Sequence, residues 1–334
     1  MDKVIFLFLS LVSGCVEIGG VVYGISIDLP VLQVAALGLA YQIGNLVPNP
    51  FKLNKKVTAI TAFLSMGCFV IYEFVISNYW VLVLGYIFIA MTIQSVRSLQ
   101  KDKVSTTIKR TFRILGFVIA PFIGVEQNII ISIILIFIVV YSKYKIKESK
   151  FIKPSFKFIN GIMVIHQMHY FAYVYFILII ISKLTSSFGI KVIGILVMAG
   201  WITYTSVSHI IKGKNYRQYF IAGHFILSII LICLAKNYDN MFAIIFWIAT
   251  GFGGGTVYCI GEVNKINQDC SKGDIVFSEN IGHIFGVIAG MLVYWIFNDL
   301  RAPIYLSACC AITAFILMFI YGLLKKDVAK KELA

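Results

Sequence analysis

Apolar runs of about 20 residues, each closed by charged or turn residues, follow one another along this sequence from its first residues to its last. A helix needs about 20 predominantly apolar residues to cross the hydrocarbon core of a bilayer, and inside that core its backbone polar groups must be satisfied within the segment. Repeated runs of this length predict an all-α integral membrane protein. Composition agrees: the 334 residues are 60% hydrophobic and 13% charged, with a mean hydropathy of +0.90. Soluble domains carry about 25% charged residues, so a water-soluble globular protein is excluded. Disorder is excluded too, because no stretch stays polar for long. The length has room for roughly ten to thirteen crossings and none for an extramembrane domain.

Twelve transmembrane helices are expected, forming two pseudosymmetric six-helix bundles. The first six spans lie at about 4–24, 29–48, 57–76, 79–97, 109–125 and 127–143. The second six lie at about 158–182, 188–211, 218–235, 240–261, 277–297 and 302–324. The expected domains are 1–143 for the N-terminal bundle, 144–157 for a basic cytoplasmic linker and 158–334 for the C-terminal bundle. Cytoplasmic loops collect Lys and Arg. With both termini inside, all of the 29 basic residues except Lys183, Lys191, Lys236 and Arg301 fall on the cytoplasmic side. Losing or adding one central helix would put later basic loops on the wrong side, so the bias supports the helix count as well as the orientation. It also explains the formal charge of +14. Split among short loops, that charge forms no platform for nucleic acid, and attraction to anionic headgroups is the plainer account.

The seven cysteines (15, 68, 233, 259, 270, 309 and 310) show neither metal-ligand nor disulfide spacing. The first run has no small-residue cleavage site and reads as an uncleaved span.

Equal halves suggest duplication, since many transporters are built from repeated bundles. Arg113-Ile-Leu-Gly116 followed by Ala120 matches His283-Ile-Phe-Gly286 followed by Gly290 at an offset of 170, and the same offset places Gln94 over Asn264. In the fifth span, Gly116, Ala120 and Gly124 form a small-residue stripe at spacing four that permits close helix contact, and Pro121 bends the span. The segment Gly116-Phe-Val-Ile-Ala120-Pro121-Phe-Ile-Gly124 resembles the G-x-x-x-G-P-x-x-G core of the fifth-helix motif in proton antiporters of the major facilitator superfamily. With the 6+6 layout, inside termini and basic central loop, the chain is similar to a compact, divergent member of that superfamily. The resemblance implies alternating access and, through the fifth-helix element, export. The loop between the second and third spans, Asn45 to Lys56, keeps the basic end of the family's G-x-x-x-D-R-x-G-R-K pattern without its Asp and Gly.

An ionisable residue within hydrocarbon points to function. Glu17 lies seven residues before the outer end of the first span, beside Gly14, Gly19 and Gly20. Burial favours the neutral form of a carboxyl group, and Glu17 is expected to accept a coupling proton; packing against a polar partner is the alternative. His166 and His169 share one face of the seventh span with Tyr170 and Tyr173. The resemblance puts the first and seventh helices in equivalent places, so these histidines are expected to assist Glu17 across a central cavity. Metal binding needs more ligands than two, and no Cys or acid lies at helical spacing beside them; no metal or cofactor is expected. Tyr170, Tyr173, Trp201, Tyr204, Gln94 and Asn264 are candidate cavity residues. Arg113 and His283, with Glu262 and Glu279, are expected at a cytoplasmic gate or as solvated helix ends, whereas Glu73 reads as interfacial.

The glycine run Gly251, Gly253, Gly254 and Gly255 in the tenth span reads as close helix contact or a flexible gate. No strand precedes it and no Gly-Lys-Ser/Thr follows, so it is not a phosphate loop. The functional expectation is a secondary transporter, a monomer in the cell membrane, exporting a small amphipathic compound against protons. The rivals are a membrane-embedded transferase with a histidine base, disfavoured by the missing paired acids, and a nontransporting sensor or immunity protein. In an otherwise cysteine-free chain, a cysteine at Ser149 should react with an impermeant maleimide only from the cytoplasmic side and one at Asn78 only from outside. Labelling of Ser149→Cys from outside would overturn the orientation.

Overall fold

The computed structural model describes residues 2–48, 53–99, 105–141, 155–211 and 215–332. Lys52, Lys101, Lys103, the basic stretch from Lys143 to Lys153 and Lys212 to Lys214 lie outside the described residues. All regular structure among the described residues is helical. The first half contains α1 (Asp2–Ser26), α2 (Val31–Leu46), α3 (Lys55–Phe74), α4 (Tyr79–Leu99), α5 (Thr106–Ile119) and α6 (Val125–Tyr141). The second contains α7 (Phe158–Leu184), α8 (Val192–Ile210), α9 (Tyr216–Lys236), α10 (Phe242–Gly254), α11 (Tyr258–Asn267), α12 (Lys272–Phe297) and α13 (Arg301–Glu332).

Nine helical segments among the described residues are long and apolar enough to cross a membrane, with α10 and α11 counted together as Phe242–Asn267; α2 and α6 are shorter apolar helices. Large aliphatic and aromatic side chains such as Ile60, Phe63 and Leu64 of α3 and Ile226 and Ile229 of α9 are exposed. A soluble monomer rarely leaves so much apolar surface uncovered. The chain is a multi-pass membrane protein.

Two expected spans are built differently. The span expected at 240–261 is α10 and α11 joined by a 3-10 turn, Gly255–Val257. Each glycine weakens a helix by about 1 kcal/mol relative to alanine in water; three of them, Gly251, Gly253 and Gly254, close α10, and Gly255 opens the turn. The fifth span ends as α-helix at Ile119 and continues as a 3-10 turn over Ala120–Phe122, with Pro121 in its first positions. The expected stripe of Gly116, Ala120 and Gly124 is therefore not carried on one continuous helix.

The chain divides into two compact units, Met1–Lys153 with Thr185–Met198, and Pro154–Leu184 with Ala199–Ala334. In the first unit α1 packs on α5, α2 on α4, and α3 on α4 and α6. Glycines set the closest approaches: a Cβ on Gly14 would stand 2.1 Å from the Arg113 carbonyl oxygen, and one on Gly116 2.2 Å from that of Leu11. In the second unit α7 is buried along most of its length, between α12 and α13. Gly282, Gly286 and Gly290 lie one turn apart on α12, and a Cβ on each would meet the carbonyl oxygens of Val164, Met168 and Ala172 of α7 at 2.6, 2.8 and 2.1 Å. Thus Gly116 and Gly286, matched at the 170-residue offset, each bring a helix into backbone contact with the first helix of its own half.

Without the hydrophobic effect to drive helix association in lipid, such contacts rely on dispersion and close fit. Gly286→Val should cost about 1–3 kcal/mol through overpacking and lower the thermal midpoint in detergent, followed by size-exclusion chromatography after heating. Gly161→Ala, on α7 with no atom within 4 Å of the new methyl, should retain the wild-type midpoint.

Candidate functional site

In each unit a group of buried polar side chains includes residues of its first helix. In the first unit, Ser13 and Glu17 lie one turn apart on α1, and Glu17 is only 7% exposed. The backbone contact between Gly14 and Gly116 holds α5 against this face. Arg113 donates from Nε at 3.0 Å and from Nη2 at 2.5 Å to Glu17 Oε2. The guanidinium is 29% exposed and the carboxylate 8%, so the pair sits at the edge of the buried region. Tyr41 of α2, fully buried, shares a 2.9 Å hydrogen bond between its hydroxyl and that of Ser13. Arg97 of α4 donates to Ser13 Oγ at 3.3 Å. Two guanidinium groups and one carboxylate therefore meet the same stretch of α1.

The charge balance follows directly. An isolated carboxylate taken out of water is strongly disfavoured, and an opposite charge in contact compensates it.

In the second unit the polar cluster is a group of three histidines. His166 and His169 of α7 and His224 of α9 are all at most 2% exposed. His166 Nδ1 lies 2.7 Å from His224 Nε2. His169 Nδ1 is bonded to the His166 carbonyl oxygen. His224 Nδ1 lies 3.1 Å from both the Phe220 carbonyl oxygen and Thr256 Oγ1. The Ser307 hydroxyl of α13 donates to the His169 carbonyl oxygen. One ring nitrogen from each histidine falls within 4.8 Å of the others. The pairing of His166 and His169 was legible in their spacing; His224, 58 residues beyond His166, was not singled out. Its only sequence signal is a histidine inside an apolar run.

The remaining candidates are distributed as follows. Tyr173 is fully buried and its hydroxyl is 3.0 Å from Thr250 Oγ1 of α10, tying α7 to α10. The Tyr170 ring lies edge-on to Tyr173 at 6.1 Å, and Trp201 and Tyr204 of α8 are ring neighbours at 5.2 Å. Gln94 is half-buried on α4. Both ends of the Asn264 amide serve the Cys270 backbone, donating to its carbonyl oxygen at 3.0 Å and accepting from its N–H at 3.1 Å. Asn264 therefore clasps the loop between α11 and α12.

The glycine run faces three helices. A Cβ on Gly251 or Gly255 would strike Thr203 Oγ1 at 2.0 Å or the Tyr204 carbonyl oxygen at 2.3 Å on α8; on Gly253 it would meet Leu227 Cβ of α9 at 2.6 Å. Gly254 is different, with Tyr204 Cδ2 at 3.7 Å and His169 Nε2 at 4.0 Å. The Gly124 N–H donates to Gln127 Oε1 at 2.8 Å, and Gly124 makes no backbone contact of the Gly116 kind. Of the expected gate group, Arg113 binds Glu17, Glu262 pairs with Lys265 at 2.5 Å, Glu279 accepts from Gln167 at 3.4 Å, and the His283 ring lies 4.0 Å from that of Phe171. Glu17 belongs to the first unit, and His166 and His169 to the second.

No protein-family model matches the chain, and no curated protein matches it. Among solved structures it is similar to the crystal structure of the human organic anion transporter MFSD10 (TETRAN), with a TM-score of 0.58 and 10% identity over 94% of this chain and 98% of that one. At that identity the likeness shows a shared fold and nothing more.

Removing one partner of a buried pair strands the other, so Arg113→Gln alone should destabilise the protein more than Glu17→Gln with Arg113→Gln together. A double-mutant cycle on detergent unfolding should give a coupling of about 1–3 kcal/mol, and additive effects would show that the pair contributes nothing.

Proposed function

We propose that this protein is a secondary active transporter that moves a small amphipathic organic compound by alternating access, coupled to protons and working in the export direction. The observation that carries the reading is the buried Glu17–Arg113 pair, set in a fold shared with a transporter. A carboxylate deep in an apolar helix is expensive to keep, and its ability to hold either a guanidinium or a proton makes it a coupling group.

In this mechanism the deprotonated, Arg113-paired state and the protonated, unpaired state differ in charge and in the hydrogen bonds that join α1 to α5. A conformational equilibrium responds to a ligand only as far as that ligand interacts differently with the two states. The proton is such a ligand, because it removes one of the ties between the helices. Coupling is assigned to Glu17 rather than to His166 or His169, because Nδ1 of each of those rings already has a hydrogen-bond partner. Tyr170, Trp201 and Tyr204, each half-buried, offer polar and aromatic surface suited to a neutral or weakly charged organic molecule. An organic anion, the cargo named for MFSD10, also suits the two arginines of the first unit. The export direction rests on the likeness of the Gly116–Gly124 segment to the antiporter motif.

The reading takes the two halves as six-helix bundles with both termini in the cytoplasm, the protein acting as a monomer in the cell membrane, and it assigns no enzymatic step.

Inverted membrane vesicles bearing the protein should accumulate fluorescent amphipathic dyes when an inward-acid pH gradient is imposed and lose the accumulation when it is collapsed. Glu17→Gln should abolish gradient-driven accumulation even when compared at equal amounts of folded protein in the membrane. Accumulation by the variant equal to that of wild type would refute the role of Glu17.

A further inference from the structure

The geometry points to a metal site that the transport reading does not use: His166, His169 and His224 hold one divalent transition-metal ion, of the zinc class, leaving a fourth position for an anionic ligand. Imidazole nitrogen is a preferred ligand of such ions, and three protein ligands with an open position are a recurring arrangement.

The tautomers are fixed by the groups around the rings. A carbonyl oxygen can only accept, so the contact of His169 Nδ1 with the His166 carbonyl places the proton on Nδ1 and the lone pair on Nε2. At His224 the argument is closed twice. Nδ1 faces the Phe220 carbonyl oxygen at 3.1 Å. It also faces Thr256 Oγ1 at 3.1 Å, whose own proton is donated to the Gly253 carbonyl oxygen at 2.6 Å, so that oxygen accepts as well. Nδ1 of His224 therefore carries the proton and Nε2 the lone pair. A ring N–H donated to a backbone carbonyl, with the opposite nitrogen left for the ion, is the support that metal-ligating histidines usually receive. His166 turns Nδ1 toward His224 Nε2 at 2.7 Å; as the ion takes the Nδ1 lone pair, the Nδ1 proton is released to solvent and Nε2 of the same ring takes one up, so the imidazole stays neutral.

One ring nitrogen from each histidine lies within 4.8 Å of the other two. Metal–nitrogen bonds of about 2.0–2.1 Å at tetrahedral angles set neighbouring nitrogens about 3.3 Å apart. The His166–His224 pair has to open by roughly half an ångström and the widest pair to close by about 1.5 Å, both within reach of ring rotation. Three neutral imidazoles leave the dication uncompensated in an apolar setting, which favours an anion in the fourth position: hydroxide, or a carboxylate or thiolate of a substrate. Gly254 keeps space beside His169 Nε2, since even its added Cβ would stand 4.0 Å away.

The test uses the full chain purified in detergent on a tag without histidine, washed with chelator and titrated with cobalt(II) chloride, then with zinc(II) chloride. Wild type should bind one cobalt per chain with the intense visible bands of a tetrahedral ion, and zinc should displace it. Each of His166→Ala, His169→Ala and His224→Ala should weaken binding by at least about tenfold to a hundredfold, the range for disturbing even a supporting group. His209→Ala and His283→Ala should retain it. His224→Cys, which keeps a ligand where the alanine variant fails to fold, should bind cobalt and add a thiolate charge-transfer band. Absence of saturable one-to-one binding, or binding indifferent to His224, would overturn the proposal. No gradient or substrate enters the measurement, so its failure leaves the coupling role of Glu17 standing, and its success does not require that role.

Discussion

Backbone contact between helices, made possible by glycine, is the constraint from which the arrangement of this protein follows. Gly14 against Gly116 in the first unit, and Gly282, Gly286 and Gly290 against α7 in the second, leave no room for a Cβ. Where lipid tails are as apolar as leucine, such contacts hold helices together by fit. They also decide which side chains meet. With α1 and α5 touching at Gly14 and Gly116, Glu17 is within bonding reach of Arg113. With Gly253 against Leu227 of α9 and Gly254 facing His169, the glycine run brings α10 to the neighbourhood of the histidines.

The two polar clusters are chemically unlike. The first balances charge against charge, Arg113 against Glu17. The second assembles three imidazoles, two with Nδ1 directed at a backbone carbonyl and the third with Nδ1 directed at a neighbouring ring. The two units are alike in their close glycine contacts and unlike in the side chains those contacts bring together.

Much of the scaffold was legible in the sequence because it depends on local properties. Apolar length marks a span wherever it packs, and α1, α7, α9 and α12 fall close to their expected limits. Glu17 stood out because a carboxylate inside an apolar run is conspicuous on its own. The break after α10 and the 3-10 turn at Ala120 were less legible, since whether glycine or proline bends, ends or merely thins a helix depends on the neighbours it meets. Partnerships were illegible. Arg113, expected at a cytoplasmic gate or a solvated helix end, is 96 residues from Glu17, and His224 was not singled out. Which faces meet depends on helix rotation and packing, and neither is written in residue spacing. Asn264 shows the reverse: matched to Gln94 by offset, its amide is spent on the Cys270 backbone.

The central claim is that Glu17 exchanges Arg113 for a proton. Infrared difference spectroscopy of the protein in lipid, recorded on acidification, reads that event directly through the carbonyl stretch of a protonated carboxyl group. The account predicts a band that grows as pH falls, is missing in Glu17→Gln, and is accompanied by a change in the guanidinium modes that Arg113→Gln removes. A wild-type spectrum whose carboxyl bands are unchanged in Glu17→Gln would contradict it.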